Sequence, residues 1–174
     1  MIKRTILATI VALITASIIV IPALAASYYI SEQGANFNYS GMIYKNCTAS
    51  GWTCRDGNAF YYYLRQNGGS FGTWWARQAG TTPRRMDWYT FIPNDNTSQV
   101  FGAVRYRIIN PNNSPTENYP TICNQSSWKG QAPYMGYLSR GNNTSYMDMQ
   151  NYCVAGYSCN TSYPVFWDRS QFNW

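Results

Sequence analysis

The stretch RRMDWYTFIPNDNTSQVFGAVRYRII, residues 84–109, decides the fold because it contains two strand-like segments separated by a polar turn. In the second segment, aliphatic and aromatic side chains occupy one face of the predicted strand, and both arginines occupy the other. This period of two is typical of a half-buried strand. The first segment alternates less cleanly and ends at Ile92-Pro93, and Asn94-Asp95-Asn96 supplies a turn. We predict that the two segments form the central hairpin of an antiparallel β-sandwich.

The amino terminus resembles an export signal. Lys3-Arg4 precede an apolar run over residues 6–24, and Ala23-Leu24-Ala25 has the small residues that signal peptidase prefers. We therefore predict a signal peptide over residues 1–25. The alternative is an uncleaved anchor, because the run is about long enough to span a bilayer. Both alternatives place the remaining chain outside the cytoplasm, as a secreted or cell-surface protein.

Composition narrows the possible functions. The chain has no histidine, which excludes Ser-His-Asp and Cys-His catalysis and histidine metal sites. Its formal charge of +6 falls by two when Lys3 and Arg4 leave with the leader, too small a charge to predict nucleic-acid binding. Membrane contact is expected only through the amino-terminal segment, if it is not cleaved.

The mature chain is predicted to be one all-β domain. Residues 26–40 form a polar segment without clear periodicity, and residues 41–174 carry short strand patterns separated by turn signals, as in a β-sandwich of the jelly-roll type. Residues 110–120 contain three prolines and are predicted to be a loop. Residues 136–138 and 146–149 are predicted to form a hairpin across Arg140-Gly141-Asn142-Asn143.

Five cysteines agree with export. Cys47 and Cys54 enclose one short loop, and Cys153 and Cys159 enclose another, so both pairs are predicted to form local disulfides. Other pairings, including Cys123 with Cys153 or Cys159, remain open. Left over from the local pairs, Cys123 is expected to be a buried thiol of a strand rather than an intermolecular bridge.

A series of short motifs in the last hundred residues is similar to a known family. In order they are Trp74-Trp75, Pro83, Phe91-Ile92-Pro93, residues 103–108 (AVRYRI), Asn124-Gln125, Trp128, Met135-Gly136-Tyr137, Gly141, residues 165–169 (VFWDR) and Phe172. This order resembles the golvesin C-terminal-like domain, also found at the end of xanthan lyases. The resemblance covers about residues 74–174 and implies a carbohydrate-binding β-sandwich, in which Asp168 fixes a backbone turn.

The acidic residues show no catalytic arrangement. A glycosidase needs two carboxylates at a defined separation, and no pair among the seven acids stands in a recognisable pattern, so we predict a protein that is not an enzyme. No metal-binding residues are predicted. Calcium remains possible at Asn94-Asp95-Asn96, although these residues are equally typical of a turn.

Aromatic residues are the strongest indication of function. They make up 17% of the chain, more than one core of this size requires, and flat rings stack on the C–H faces of sugars. The predicted glycan-binding residues are Trp52, Trp74, Trp128, Tyr134 and Tyr157. Trp74 and Trp75 must point to opposite faces of a strand, so one of them belongs to the core.

Glycosylation sequons are frequent. They occur at Asn38, Asn46, Asn96, Asn112, Asn124, Asn142, Asn143 and Asn160. The sequence does not say whether the host uses them. We predict a non-catalytic module that binds an extracellular polysaccharide or cell-surface glycan. The alternative is a structural subunit of a filament or surface layer, which assembles by adding a strand to a neighbour.

Overall fold

A computed structural model describes residues 26–51, 53–63, 71–94, 103–112, 117–150, 154–157, 162 and 164–174. The predicted leader, Trp52, Asp95, Asn96, Cys153, Cys159 and Asn160 lie outside the described residues. Within the described part, no helix has the length and apolar character needed to cross a membrane.

Twelve strands and two short helical turns form the described part. The strands are β1 (Ser27–Ile30), β2 (Phe37–Ser40), β3 (Ile43–Asn46), β4 (Asn58–Tyr63), β5 (Phe71–Trp75), β6 (Arg84–Thr90), β7 (Val104–Asn110), β8 (Glu117–Cys123), β9 (Tyr134–Gly141), β10 (Tyr146–Gln150), β11 (Pro164–Trp167) and β12 (Ser170–Asn173). The helical turns are α1 (Cys47–Ser50) and the 3-10 turn η1 (Gln125–Ser127). All the strand pairs are antiparallel, so the predicted all-β sandwich is confirmed.

Three sheets surround one core. Their strand orders are β1-β12-β6-β9, β2-β5-β10-β7-β8 and β3-β4-β11. Each sheet contributes buried side chains to a common cluster, for example Trp88 from the first, Tyr106 from the second and Trp167 from the third. Alternating burial along β7, where Val104, Tyr106 and Ile108 face inward, confirms the period-two pattern of the sequence.

Both predicted hairpins are wrong. β6 pairs with β12 and β9 in the four-stranded sheet, whereas β7 pairs with β10 and β8 in the five-stranded sheet. In the same way β9 and β10 belong to different sheets, although only residues 142–145 separate them. Each connection therefore crosses from one layer of the sandwich to the other. Two strands in different sheets that face the same core have the same alternating pattern as two strands of a hairpin. Periodicity alone therefore does not distinguish these two arrangements.

The predicted loop over residues 110–120 is too long. β8 begins at Glu117, and Pro120 stands opposite Arg107 in the ladder. Because β8 is at the edge of its sheet, the missing N–H of Pro120 costs little there. The polar segment 26–40 also joins the sandwich, since β1 pairs with β12 and β2 pairs with β5.

The described cysteines form the predicted short-range disulfide and leave one free thiol. Cys47 and Cys54 form a disulfide, as predicted. Cys123 is a free thiol, buried in β8, and burial raises its pKa to about 12.

Candidate functional site

The outer face of the four-stranded sheet gathers rings, amides and charges in two rows. Strand register places Tyr29, Gln171, Tyr89 and Tyr134 side by side across β1, β12, β6 and β9. The second row, in the same strand order, is Ser27, Asn173, Asp87 and Tyr137. We call these eight residues together with Arg85 the tyrosine face. Four strands span about 14 Å at the usual spacing of roughly 4.8 Å, which gives the face the width of a short sugar chain.

A β-bulge in β9 builds one end of the face. Tyr134 and Tyr137 are three residues apart, so strict alternation would place them on opposite sides of the sheet. The register between β6 and β9 shifts at this point, and Gly136 takes a φ of 129°, which a side chain would strain. Met135 and Gly136 are both buried, and both tyrosines therefore face solvent, with exposures of 48% and 39%.

Hydrogen bonds hold the second row in place. Arg85 donates to both carboxylate oxygens of Asp87, from Nε at 3.1 and 3.2 Å and from Nη2 at 2.9 Å. The Tyr134 hydroxyl donates to Asp87 Oδ1 at 3.1 Å. Partial burial first, and then this bond, raise the pKa of Tyr134, so the phenol is a neutral donor. Asn173 accepts from Ser27 and from the Gln171 amide at 2.9 and 3.0 Å.

Ring contacts order the remaining side chains. The rings of Tyr89 and Tyr134 lie 5.3 Å apart, and the guanidinium of Arg85 lies 4.3 Å from the Tyr137 ring centre. Arg169 lies over Tyr29 at 4.4 Å. A preformed array of this kind binds a ligand at lower entropic cost than mobile side chains do.

A groove continues the face beyond Tyr134. It has a volume of about 230 Å³, and its walls include Ile122, Asn124, Trp128 and Tyr134. Trp128 is 42% exposed there. Two of the sequence-predicted binding residues, Trp128 and Tyr134, thus meet in one site.

Gln125 positions Trp128. Its buried amide donates to the Tyr106 hydroxyl at 2.8 Å and to the Phe166 carbonyl at 2.9 Å, and its carbonyl accepts from the Phe166 N–H at 3.0 Å. Trp128 follows directly after η1, and its backbone N–H donates to the backbone carbonyl of Gln125. Asn124 begins the turn, because its side chain accepts from the Ser126 N–H. The motif Asn124-Gln125 therefore anchors the turn that presents the indole.

The other predicted binding residues lie elsewhere. Trp74 is fully buried, and its indole N–H donates to the Asp168 carbonyl at 3.0 Å, so its prediction as a glycan-binding residue is wrong. Tyr157 is exposed in the turn 154–157. Among the described sequons, Asn38, Asn46, Asn112 and Asn124 are exposed, and Asn142 and Asn143 are half-buried.

Sequence reasoning missed most of the tyrosine face. Tyr29, Tyr89, Tyr137 and Gln171 come from four strands whose pairing is not visible in the sequence. For Tyr137 a local signal existed, since Gly136 next to a strand pattern is typical of a bulge. For the others no local signal distinguishes an outward tyrosine from an inward one.

A buried carboxyl pair lies apart from this face. Glu32 is 1% exposed and Asp168 is 0% exposed, and the charge of Asp168 repels a charge on Glu32. Neither Glu32 oxygen has a well-formed bond from a described N–H or O–H donor, although its own backbone N–H is close enough to lower its pKa slightly. Burial, followed by repulsion from Asp168, raises the pKa of Glu32 to about 8.

Asp168 is the ionised partner. Burial raises its pKa to about 6, while backbone N–H groups of Arg55 and Arg169, at 3.1 and 2.6 Å, oppose that rise. Asp168 therefore fixes the backbone of two segments, as the resemblance implies.

No group of three or more acidic, cysteine or histidine side chains arranged for a metal occurs in the described ranges. Of the predicted calcium cluster only Asn94 is described, and its backbone pairs with Thr53.

No protein-family model matches the chain, and no curated protein matches it. The golvesin-like resemblance therefore stays a prediction. Among solved structures the chain is similar to one described as the structure of a family two carbohydrate esterase from Cellvibrio japonicus, with a TM-score of 0.45 and 7% identity over 86% of this chain. The chain spans 34% of that structure's length, and a similarity this distant carries no argument about function.

Proposed function

We propose that the protein is an exported, non-catalytic module that binds polysaccharide through the tyrosine face and the adjoining groove. Export rests on the leader predicted in the sequence. The observation that carries the binding proposal is the β9 bulge, because it turns both Tyr134 and Tyr137 toward solvent beside Tyr89. Sugar rings stack on such side chains, and their hydroxyls match the carboxylate and amides of the second row.

The arrangement of acids supports binding rather than hydrolysis. Among the described residues of the tyrosine face, Asp87 is the single carboxylate, and Arg85 and Tyr134 engage it. Hydrolysis of a glycosidic bond by the usual route requires a second carboxyl group across the bond. The other close acids, Glu32 and Asp168, are buried, and Asp168 accepts from the backbone N–H groups of Arg55 and Arg169.

A glycan array followed by affinity electrophoresis tests the proposal. We expect retention on at least one polysaccharide, and Trp128→Ala or Tyr134→Ala to weaken it about 3- to 10-fold each, the loss expected for one stacked ring. Phe71→Ala is the matched control, because Phe71 is an exposed ring at the start of β5 in the other large sheet. Tyr157→Ala decides whether that tyrosine belongs to the site.

Two results would refute the proposal. One is the absence of retention on every glycan of a broad array. The other is retention that Phe71→Ala weakens as much as Tyr134→Ala does. Unglycosylated protein is the right sample, because the sequon Asn124 lines the groove.

A further inference from the structure

A small pit with two arginines lies at the β1 end of the tyrosine face. Its volume is about 20 Å³, enough to admit one oxygen-sized group. The residues around it include Tyr29, Tyr89 and Gln171 from the first row of the face, together with Arg55 and Arg169. The two charged residues of the lining, Arg55 and Arg169, are both cationic. The pit opens beside the rings proposed to stack on sugar.

The two guanidinium groups are held in place. Arg169 lies over the Tyr29 ring at 4.4 Å and forms an ion pair with Asp56 at 3.0 Å. Arg55 lies over the Phe91 ring at 5.4 Å. The ring contacts, and for Arg169 the ion pair as well, orient these side chains before a ligand arrives.

Carboxylates near the pit leave donors available. Asp56 takes one N–H of Arg169, and a guanidinium has five. Asp168 is buried and accepts from the backbone N–H groups of Arg55 and Arg169, not from their side chains. No ion pair of Arg55 occurs in the part of the chain that the structure describes. Its planar group is therefore ready for the two-pronged contact that arginine makes with a carboxylate or sulfate.

On the basis of the proposed function, we infer that the polysaccharide is acidic. One oxygen of a sugar carboxylate or sulfate enters the arginine pit, and neighbouring sugar rings stack on Tyr29 and Tyr89. The formal charge, +6 for the whole chain and two units lower without Lys3 and Arg4 of the predicted leader, has the sign that attracts such a polymer. Toward the other end of the face Arg85 presents a third guanidinium, 62% exposed, which is paired with Asp87.

Matched polysaccharides test this inference. The probes are polygalacturonate, alginate and hyaluronate, each beside its carboxyl-reduced counterpart, with a sulfated glycan and several neutral glycans as further arms. We expect at least one acidic polymer to bind about tenfold or more tightly than its neutral counterpart, since hydrogen bonds to charged groups are the stronger ones. Arg55→Gln should remove most of that preference and leave the affinity for the reduced polymer unchanged. Arg77→Gln, which removes an exposed charge at the end of β5, is the control and should retain the preference.

The outcomes separate the inference from the proposed function. Equal binding of acidic and reduced forms, or binding of neutral glycans alone, overturns the inference and leaves the function standing. An equal loss in Arg55→Gln and Arg77→Gln overturns it too, because general charge would then explain the preference. Absence of binding to every polymer overturns both.

Discussion

Replacing Glu32 by Gln should stabilise the protein, and increasingly so as the pH rises. The carboxyl group is 1% exposed, and burial raises its pKa from 4.5 to about 8. Between these two pH values the folded chain keeps a proton that the unfolded chain has released. Stability from this group is therefore complete below pH 4.5 and is lost progressively up to about pH 8.

The size of the effect follows from linkage. Each pH unit in that window costs about 1.4 kcal/mol of unfolding free energy, so the loss at pH 7 is about 3 kcal/mol. A glutamine has nearly the same shape and carries no ionisable proton. The difference in unfolding free energy between Glu32→Gln and the wild type should thus grow by about 3 kcal/mol from pH 4.5 to pH 7, a shift in Tm of roughly 6 to 12 °C.

Urea unfolding of both proteins at a series of pH values measures this difference. Asp87→Asn is the control, because it removes a surface carboxylate that Arg85 already pairs. Parallel pH profiles for wild type and Glu32→Gln would refute the reasoning. So would a loss of stability in the variant at every pH, since Glu32 would then contribute a specific contact that Gln cannot replace.

Three further outcomes are expected. Gly136→Ala should lower the unfolding free energy by about 1 to 3 kcal/mol, because an alanine at a φ of 129° is strained, and urea unfolding measures this loss. The same variant should weaken glycan retention in affinity electrophoresis, because it disturbs the bulge. Gln125→Ala should cost about 2 to 4 kcal/mol by leaving buried groups around Tyr106 unpaired, and should shift the fluorescence of Trp128 toward that of a solvated indole. Cys123 should react with a thiol reagent only after denaturant is added, because it is buried and its pKa is about 12; rapid labelling of the native protein would contradict its placement.

The sequence predicted the features that depend on neighbouring residues. The inward pattern of Val104, Tyr106 and Ile108 is a local property of alternation, and the structure confirms it. The same holds for the disulfide between Cys47 and Cys54, which closes a short loop. Pro120 favours a loop in the sequence but lies in a strand, since the effect of a proline on a ladder depends on whether the strand is at an edge.

The candidate site was predicted only in part. Trp128 and Tyr134 were named from aromatic excess, and they do share a groove. Trp74 was named for the same reason and is buried, because alternation states that Trp74 and Trp75 differ in direction but not which one points inward. Nothing local in the sequence marks Glu32, since its pKa is raised by burial in the folded chain and then by Asp168, which is far away in the sequence.

By itself the sequence determined the class of fold, because alternation with a period of two and frequent turn residues are local signals. Together they predict short strands and disfavour long helices. Only the tertiary structure decided which strands pair, since a strand that crosses to the opposite layer buries the same side chains as one that folds back in a hairpin. The tyrosine face depends on that choice: its two rows exist because β1, β12, β6 and β9 lie side by side, and the β9 bulge adds the one residue that brings Tyr134 and Tyr137 to the same surface.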